Sequence, residues 1–300
     1  MKKFFVTLIT FISFYSYGQE FNDILRAGNY NNLVNPGYGF IEGKNYINLI
    51  DSRFLNNGEN GYNLSLLSLG LSFGENKNTN YSDTTKTDEY KRYNHKGIGI
   101  DILTYGDGIF KRTGIGLSFG IKSQVSSSSS LLFTMRFSLN NDKGELVNFN
   151  LSDPLYVSWM NNNMKQSSSM ITPSLILFGE NYMFGLSYNK NLSVDKKVNV
   201  FGDSFVFSGR YGIEIESNNL DINLNYVATN QLNNISSFMF NYTFNNQHNI
   251  LIGERNFGEV FVGYGIKFNS FDIDLIYNAT VSKKMLENIN LYTISLKYDL

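Results

Sequence analysis

The sequence predicts an all-β protein, a transmembrane antiparallel β-barrel of about fourteen strands with an N-terminal leader at or in the lumen. Three observations point there. Segments of roughly ten residues recur in which apolar and polar side chains alternate, and period two gives a strand one greasy and one wet face. The composition suits lipid on one side of each strand: 20 Tyr and 25 Phe among 300 residues, 26 Gly, 3 Pro and only 17% charged residues. Past the N-terminus there is no continuous apolar stretch of the roughly 18 residues that a spanning helix needs. A soluble sandwich would also alternate, but its strands average about five or six residues, shorter than these rows.

Taken in order, residues 1–18 read as a signal peptide: Lys2 and Lys3, a short apolar run over 4–15, then Ser16-Tyr17-Gly18, with cleavage expected before Gln19. The run is too short to cross about 30 Å of hydrocarbon as a helix. Residues 19–43 form a leader or plug, irregular and Asn-rich, ending in Asn35-Pro36-Gly37-Tyr38-Gly39, where proline removes a donor and glycine permits tight turns. Residues 44–300 form the barrel.

Its first strand, over 44–53, is ambiguous, and a sixth, near 168–179, is irregular. Between them Leu67, Leu69, Leu71 and Phe73 alternate with Ser and Gly, Ile98, Ile100 and Ile102 with Gly and Asp101, Ile115, Leu117, Phe119 and Ile121 with Gly, Ser and Lys122, and Phe133, Met135 and Phe137 with Thr134, Arg136 and Ser138. The second half is cleaner. Its apolar rows run through Tyr182 to Tyr188, Phe205 to Ile215, Leu220 to Tyr226, Phe238 to Phe244, Val260 to Phe268 and Phe271 to Tyr277. A short strand over 248–255 precedes the last two of these, and Tyr292, Ile294, Leu296, Tyr298 and Leu300 close the set. An even strand count puts both termini in the periplasm, with short turns after even strands, and those near Ser126, Glu180, Asn218, Asn245 and Asn269 are short. Longer loops are expected over 140–166, 191–202 and 281–290. Residues 74–94 break the rule, being long and polar on the periplasmic side: either the count slips there or the segment meets a periplasmic partner.

The segment Tyr30-Asn31-Asn32-Leu33-Val34-Asn35-Pro36-Gly37-Tyr38-Gly39 resembles the Asn-rich run and Asn-Pro-Ala-Tyr-Ala-Gly leader of the PorP/SprF outer-membrane proteins of the type IX secretion system. Arg53, Ser152-Asp153-Pro154, the hairpin Phe178-Gly179-Glu180-Asn181-Tyr182-Met183-Phe184-Gly185-Leu186-Ser187 and the ending Ile294-Ser295-Leu296-Lys297-Tyr298 extend the resemblance. Gly37 stands where that family has Ala, and Phe54-Leu55 where it has Gln-Trp. The resemblance implies a barrel without enzymatic activity or cofactor. It would bind the C-terminal domain of a large secreted surface protein, an adhesin, and help to export or anchor it in the outer membrane, with other secretion or gliding components at the periplasmic side. A passive porin-like channel for small solutes is the alternative.

The residues themselves offer little chemistry. Cysteine is absent, which excludes disulfides and thiolate sites, and a net charge of −1 gives no field for nucleic acid. His95 and His248 lack clustered partners. Gly97-Ile98-Gly99 and Gly114-Ile115-Gly116 lie inside strands with no helix after them, so they fail as nucleotide loops and are expected to make room in the lumen. Arg136, Arg210, Glu214, Asp221, Asp272, Asp274 and Lys297 fall on the polar rows, facing inward, since Arg or Lys on the lipid face costs about 2–4 kcal/mol at midplane. Of these, Arg136 and Arg210 are candidate partner contacts. The only tryptophan, Trp159, stands with Leu155, Tyr156 and Met160 in the loop expected over 140–166. An apolar patch in an exposed loop calls for a cover, either the barrel mouth or a partner.

Overall fold

The computed structural model describes residues 35–54, 63–74, 94–106, 110–126, 128–144, 165–192, 203–216, 218–229, 234–256, 259–268, 270–280 and 290–300. Fourteen antiparallel strands close a barrel, each bonded to its neighbours in sequence and β1 to β14. They are β1 Tyr46–Phe54, β2 Asn63–Phe73, β3 Asn94–Gly106, β4 Phe110–Gln124, β5 Ser129–Gly144, β6 Lys165–Gly179 and β7 Tyr182–Asn191. The other half comprises β8 Ser204–Ile215, β9 Asn218–Thr229, β10 Ile235–Phe244, β11 His248–Arg255, β12 Glu259–Phe268, β13 Phe271–Thr280 and β14 Asn290–Asp299. Closure leaves no unpaired edge, the condition hydrocarbon imposes on a sheet. At the seam Tyr46 pairs with Asp299 and Leu300 N donates to Asn45 O at 2.8 Å.

The predicted apolar rows face outward. Leu117, Phe137, Leu186, Phe207, Ile252 and Ile294 are all exposed, while Ser118, Ser138, Ser187, Ser208 and Thr293, one residue away, are buried inside. Aromatic side chains stack near both ends of the outer wall. Phe244, His248 and Tyr264 stack at the end carrying the termini, with His248 Nδ1 2.8 Å from Tyr264 Oη, and Tyr277 meets Tyr292 toward the other end, 4.8 Å between centroids. Such girdles mark the two interfaces of a membrane barrel.

The connections at the terminus-bearing end are short after β4, β6, β8, β10 and β12. After β10, Asn245 and Asn246 both take positive φ, 52° and 53°, and Gln247 N donates to Phe244 O, the tight primed turn that matches strand twist. By the rule for these barrels this is the periplasmic end. β2 ends at Phe73 and β3 begins at Asn94, so the strand count does not slip there; residues 75–93 lie outside the described residues. So do residues 1–34, including the expected signal peptide and the first part of the expected leader.

One expectation needs correction. The loop expected over 140–166 gives way to strand at both ends, because β5 continues to Gly144 and β6 starts at Lys165, with Asn140 paired to Ser168 and Lys143 to Lys165; residues 145–164 lie outside the described residues. Strands β3 to β6 run for 13, 15, 16 and 15 residues, against 8 to 12 for β8 to β14. One side of the wall therefore stands taller. Within β6, Pro173 has no N–H to give, and the ladder to β7 skips from Ile171–Lys190 to Ser174–Ser187; Thr172 Oγ1 bonds Asn189 Oδ1 across the gap at 2.8 Å.

Candidate functional site

The site is the lumen and what fills it. After Asn35 the chain turns through one short 3-10 helix, Pro36–Phe40, against the inner wall. Asn35 caps it, its Oδ1 accepting from Gly37 N at 3.0 Å and from Ser174 Oγ at 2.5 Å. Pro36 occupies the first helical position, where no N–H is needed.

The leader seats on β2 to β7 because the wall gives it room. Phe40 is buried and packs with Leu132, Ile176, Phe178 and Met183. A Cβ at Gly97 would stand 2.4 Å from Phe40 Cδ1, at Gly120 3.0 Å from Cδ2, and at Gly99 3.2 Å from Cζ. Gly37 in turn admits Ile176, and Gly39 and Gly70 admit the Tyr46 ring, which meets Phe40 edge-on at 6.4 Å. Of the glycines expected to clear the lumen, Gly97 and Gly99 thus make way for the leader. Gly114 and Gly116 instead make way for the wall's own Asn140 and Arg136.

Polar ties fix the leader's exit. Lys122 Nζ donates to Ile41 O at 3.0 Å, and Lys297 Nζ reaches Glu42 at 3.1 Å and Asp299 at 3.2 Å. Tyr38 bonds Ser208 near the Arg210 charge; burial pushes its phenol up to about 12, against the lowering effect of both neighbours. Beside it a cavity of about 130 Å³ is lined by Tyr38, Glu42, Tyr46, Arg210, Asp221 and Lys297.

The opposite, extracellular half of the lumen carries no leader among the described residues, yet an apolar cluster sits among its polar inward rows. Ile50, Leu64, Leu66, Leu103, Tyr105, Val206, Val227, Ile235 and Leu291 form a buried cluster drawn from β1–β3, β14 and β8–β10. Among the described residues three ion pairs lie buried on the inward rows. Arg112 grips Asp142 with two bonds, Nε to Oδ1 at 2.5 Å and Nη2 to Oδ2 at 2.7 Å. Arg136 Nε lies 3.1 Å from Asp101 Oδ2 without hydrogen-bond alignment. Arg255 bonds Glu259.

The structure brings some predicted residues together and separates others. Arg210 joins the leader at Tyr38, whereas Arg136 is spent on Asp101. Glu214, Asp221, Asp272, Asp274 and Lys297 all sit on the inward parity of their strands. Leu155, Tyr156, Trp159 and Met160 lie outside the described residues. Arg53, at the extracellular end of β1, faces outward and holds Asp51 at 2.8 Å. Arg112, Asp101, Asp142, Arg255 and Glu259 were not singled out as site residues; extending the inward parity of each strand to its end would have found them.

The family model for the type IX secretion system membrane protein PorP/SprF matches residues 28–298. No curated protein matches the sequence. Among solved structures, the deltaS2S3 mutant of the TodX monoaromatic hydrocarbon channel is similar at 11% identity and a TM-score of 0.51, covering 91% of this chain and 95% of that one. The Acinetobacter baumannii outer membrane protein Omp33 is 5% identical with a TM-score of 0.49, covering 86% and 98%. At such identities the likeness concerns the fold alone.

Proposed function

Because the chain belongs to the PorP/SprF family of type IX secretion system membrane proteins, we propose that this outer-membrane barrel binds the C-terminal domain of a large secreted adhesin and helps to export or anchor it at the cell surface, without enzymatic activity. The observation that carries the reading is the filled lumen. The leader occupies the periplasmic half and a buried apolar cluster lines the extracellular half. A general solute pore needs a continuous polar path, and an apolar constriction sheds water. A barrel filled at both levels suits a holder of proteins better than a porin.

The cargo would meet the extracellular mouth, where the loop over 145–164 carries Leu155, Tyr156, Trp159 and Met160. Aromatic anchors of this kind supply most of the energy in protein interfaces. Other secretion components would dock at the periplasmic end.

The test is affinity capture of the tagged barrel from its native outer membrane, with mass spectrometry of what accompanies it. One very large secreted protein is expected, lost when residues 145–164 are replaced by a short linker between Gly144 and Lys165. Recovery of the barrel alone, together with ion conductance in planar bilayers, would overturn the reading in favour of a porin-like channel.

A further inference from the structure

The tall side of the barrel carries a feature that neither the lumen nor the cargo reading uses. Lys111 on β4 pairs in register with Lys143 on β5, and Lys143 pairs with Lys165 on β6. All three are exposed and share the outward parity of their strands. Directly opposed cross-strand side chains lie about 5 Å apart at Cβ, and like charges at that spacing repel. Among the described residues none of the three forms an ion pair, although other lysines of the barrel do, as Lys190 with Asp203. On the inner face at the same level, Arg112 is paired with Asp142, so among the described residues that carboxylate is already engaged by a cation of its own.

One step down, the outward row is Thr104, Thr113, Asn141 and Ser167, with Ser167 Oγ bonded to Asn141 Oδ1 at 2.8 Å. Below that the rows turn apolar, through Leu139 and Ile115, then Phe137 and Leu117. Four residues separate Lys143 from Leu139 on β5; at the strand rise and tilt of such barrels that is roughly 10 Å of height. The three ammonium groups, on stems long enough to bend toward the bilayer, therefore reach the headgroup layer of the outer leaflet.

We infer that Lys111, Lys143 and Lys165, with the hydroxyl and amide row of Thr113, Asn141 and Ser167 beneath them, form a binding site for the phosphate of an anionic outer-leaflet lipid. Three cations in a line neutralise a phosphate and its neighbours, and the Thr113 hydroxyl and the Asn141 amide nitrogen, oriented by Ser167 on its oxygen, supply donors to the remaining oxygens. The height of the row favours a lipid over a peptide or a free anion, because the acyl chains of a bound lipid would lie on the Leu139 and Phe137 rows below it. The inference stands apart from the cargo reading, which places its contacts at the mouth.

The test uses the purified full-length barrel in detergent, with phosphorylated lipid A in mixed micelles as the probe, its dephosphorylated form as a second arm and inorganic phosphate as a third. The variant combines Lys111→Gln, Lys143→Gln and Lys165→Gln; a second carries Arg at all three positions, and Lys190→Gln is the control. Tighter binding of the phosphorylated lipid by wild type, at least tenfold over the triple Gln variant and retained by the triple Arg and Lys190→Gln variants, is the expected result. Equal binding by the triple Gln variant, equal binding of the dephosphorylated lipid, or full competition by millimolar inorganic phosphate would each overturn the assignment. So would recovery of the site's charge dependence only with an acidic peptide. Unchanged heat-modifiable migration of the triple Gln variant separates lost binding from lost folding.

Discussion

Single positions decide whether the leader stays seated. Gly97 is open enough only for hydrogen, since a Cβ would meet Phe40 at 2.4 Å and the Leu71 carbonyl at 3.3 Å. Gly97→Val is expected to weaken docking of the leader by about 1–3 kcal/mol, the usual cost of overpacking. The chain has no cysteine, so a single spin label at Glu42→Cys, which gives up the Lys297 tie equally in every protein compared, reports docking as line broadening when the leader is held. Combining Gly97→Val with Phe40→Ala should cost less than the sum of the two, because they share one contact. Tyr38 adds a pH dependence. Its phenol is pushed up to about 12 in the docked leader, whereas a free tyrosine ionises near 10. A group raised in the folded state contributes stability that is whole below the unfolded value and is lost as pH rises through the folded one. The label at residue 42 should therefore sharpen progressively between about pH 10 and 12, and Tyr38→Phe should flatten that transition.

Strands explain which parts of the chain could be read in advance. From β7 onward one parity is apolar and the other polar, because those strands end near the hydrocarbon boundary and their outward rows face lipid for nearly their full length. The far ends of β5 and β6 escape the same reading. Once a strand rises above the lipid its outward side also turns polar, as at Asn141 and Lys143, while Asn140 and Asp142 remain polar inside. The period-two signal vanishes, and the stretch reads as loop although its ladder is continuous. The Arg112–Asp142 pair was hidden for that reason, and it holds the tall side together across β4 and β5. Removing one partner of a buried pair leaves an uncompensated charge and costs about 3–5 kcal/mol. Asp142→Ala should lower the stability of the barrel by that order in urea unfolding from liposomes, while Arg112→Met with Asp142→Leu should recover most of it.

For the whole molecule, the filling of the lumen at two heights yields a prediction that neither height yields alone. The leader and its cluster with Leu132, Ile176 and Met183 sit toward the periplasm, where the strands begin and end in short turns. The cluster around Leu64, Leu66, Leu103 and Ile235 sits toward the cell surface. The Asn35 to Gly39 motif was legible as a plug because its capping and turn residues stand in sequence. The second layer was not, because its members come from seven strands and each one breaks an otherwise polar inward row. Two blocks in series mean that opening one leaves the path closed. Deleting residues 35–43 should therefore give no rise in ion conductance across planar bilayers, nor should Leu64→Ser with Leu66→Ser alone. The combined variant should conduct, as water enters a lumen already lined by Arg136, Arg210 and their acidic neighbours. Conductance on loss of the leader by itself would mean that the surface-side cluster does not seal, and would leave the leader as the lone barrier to solutes.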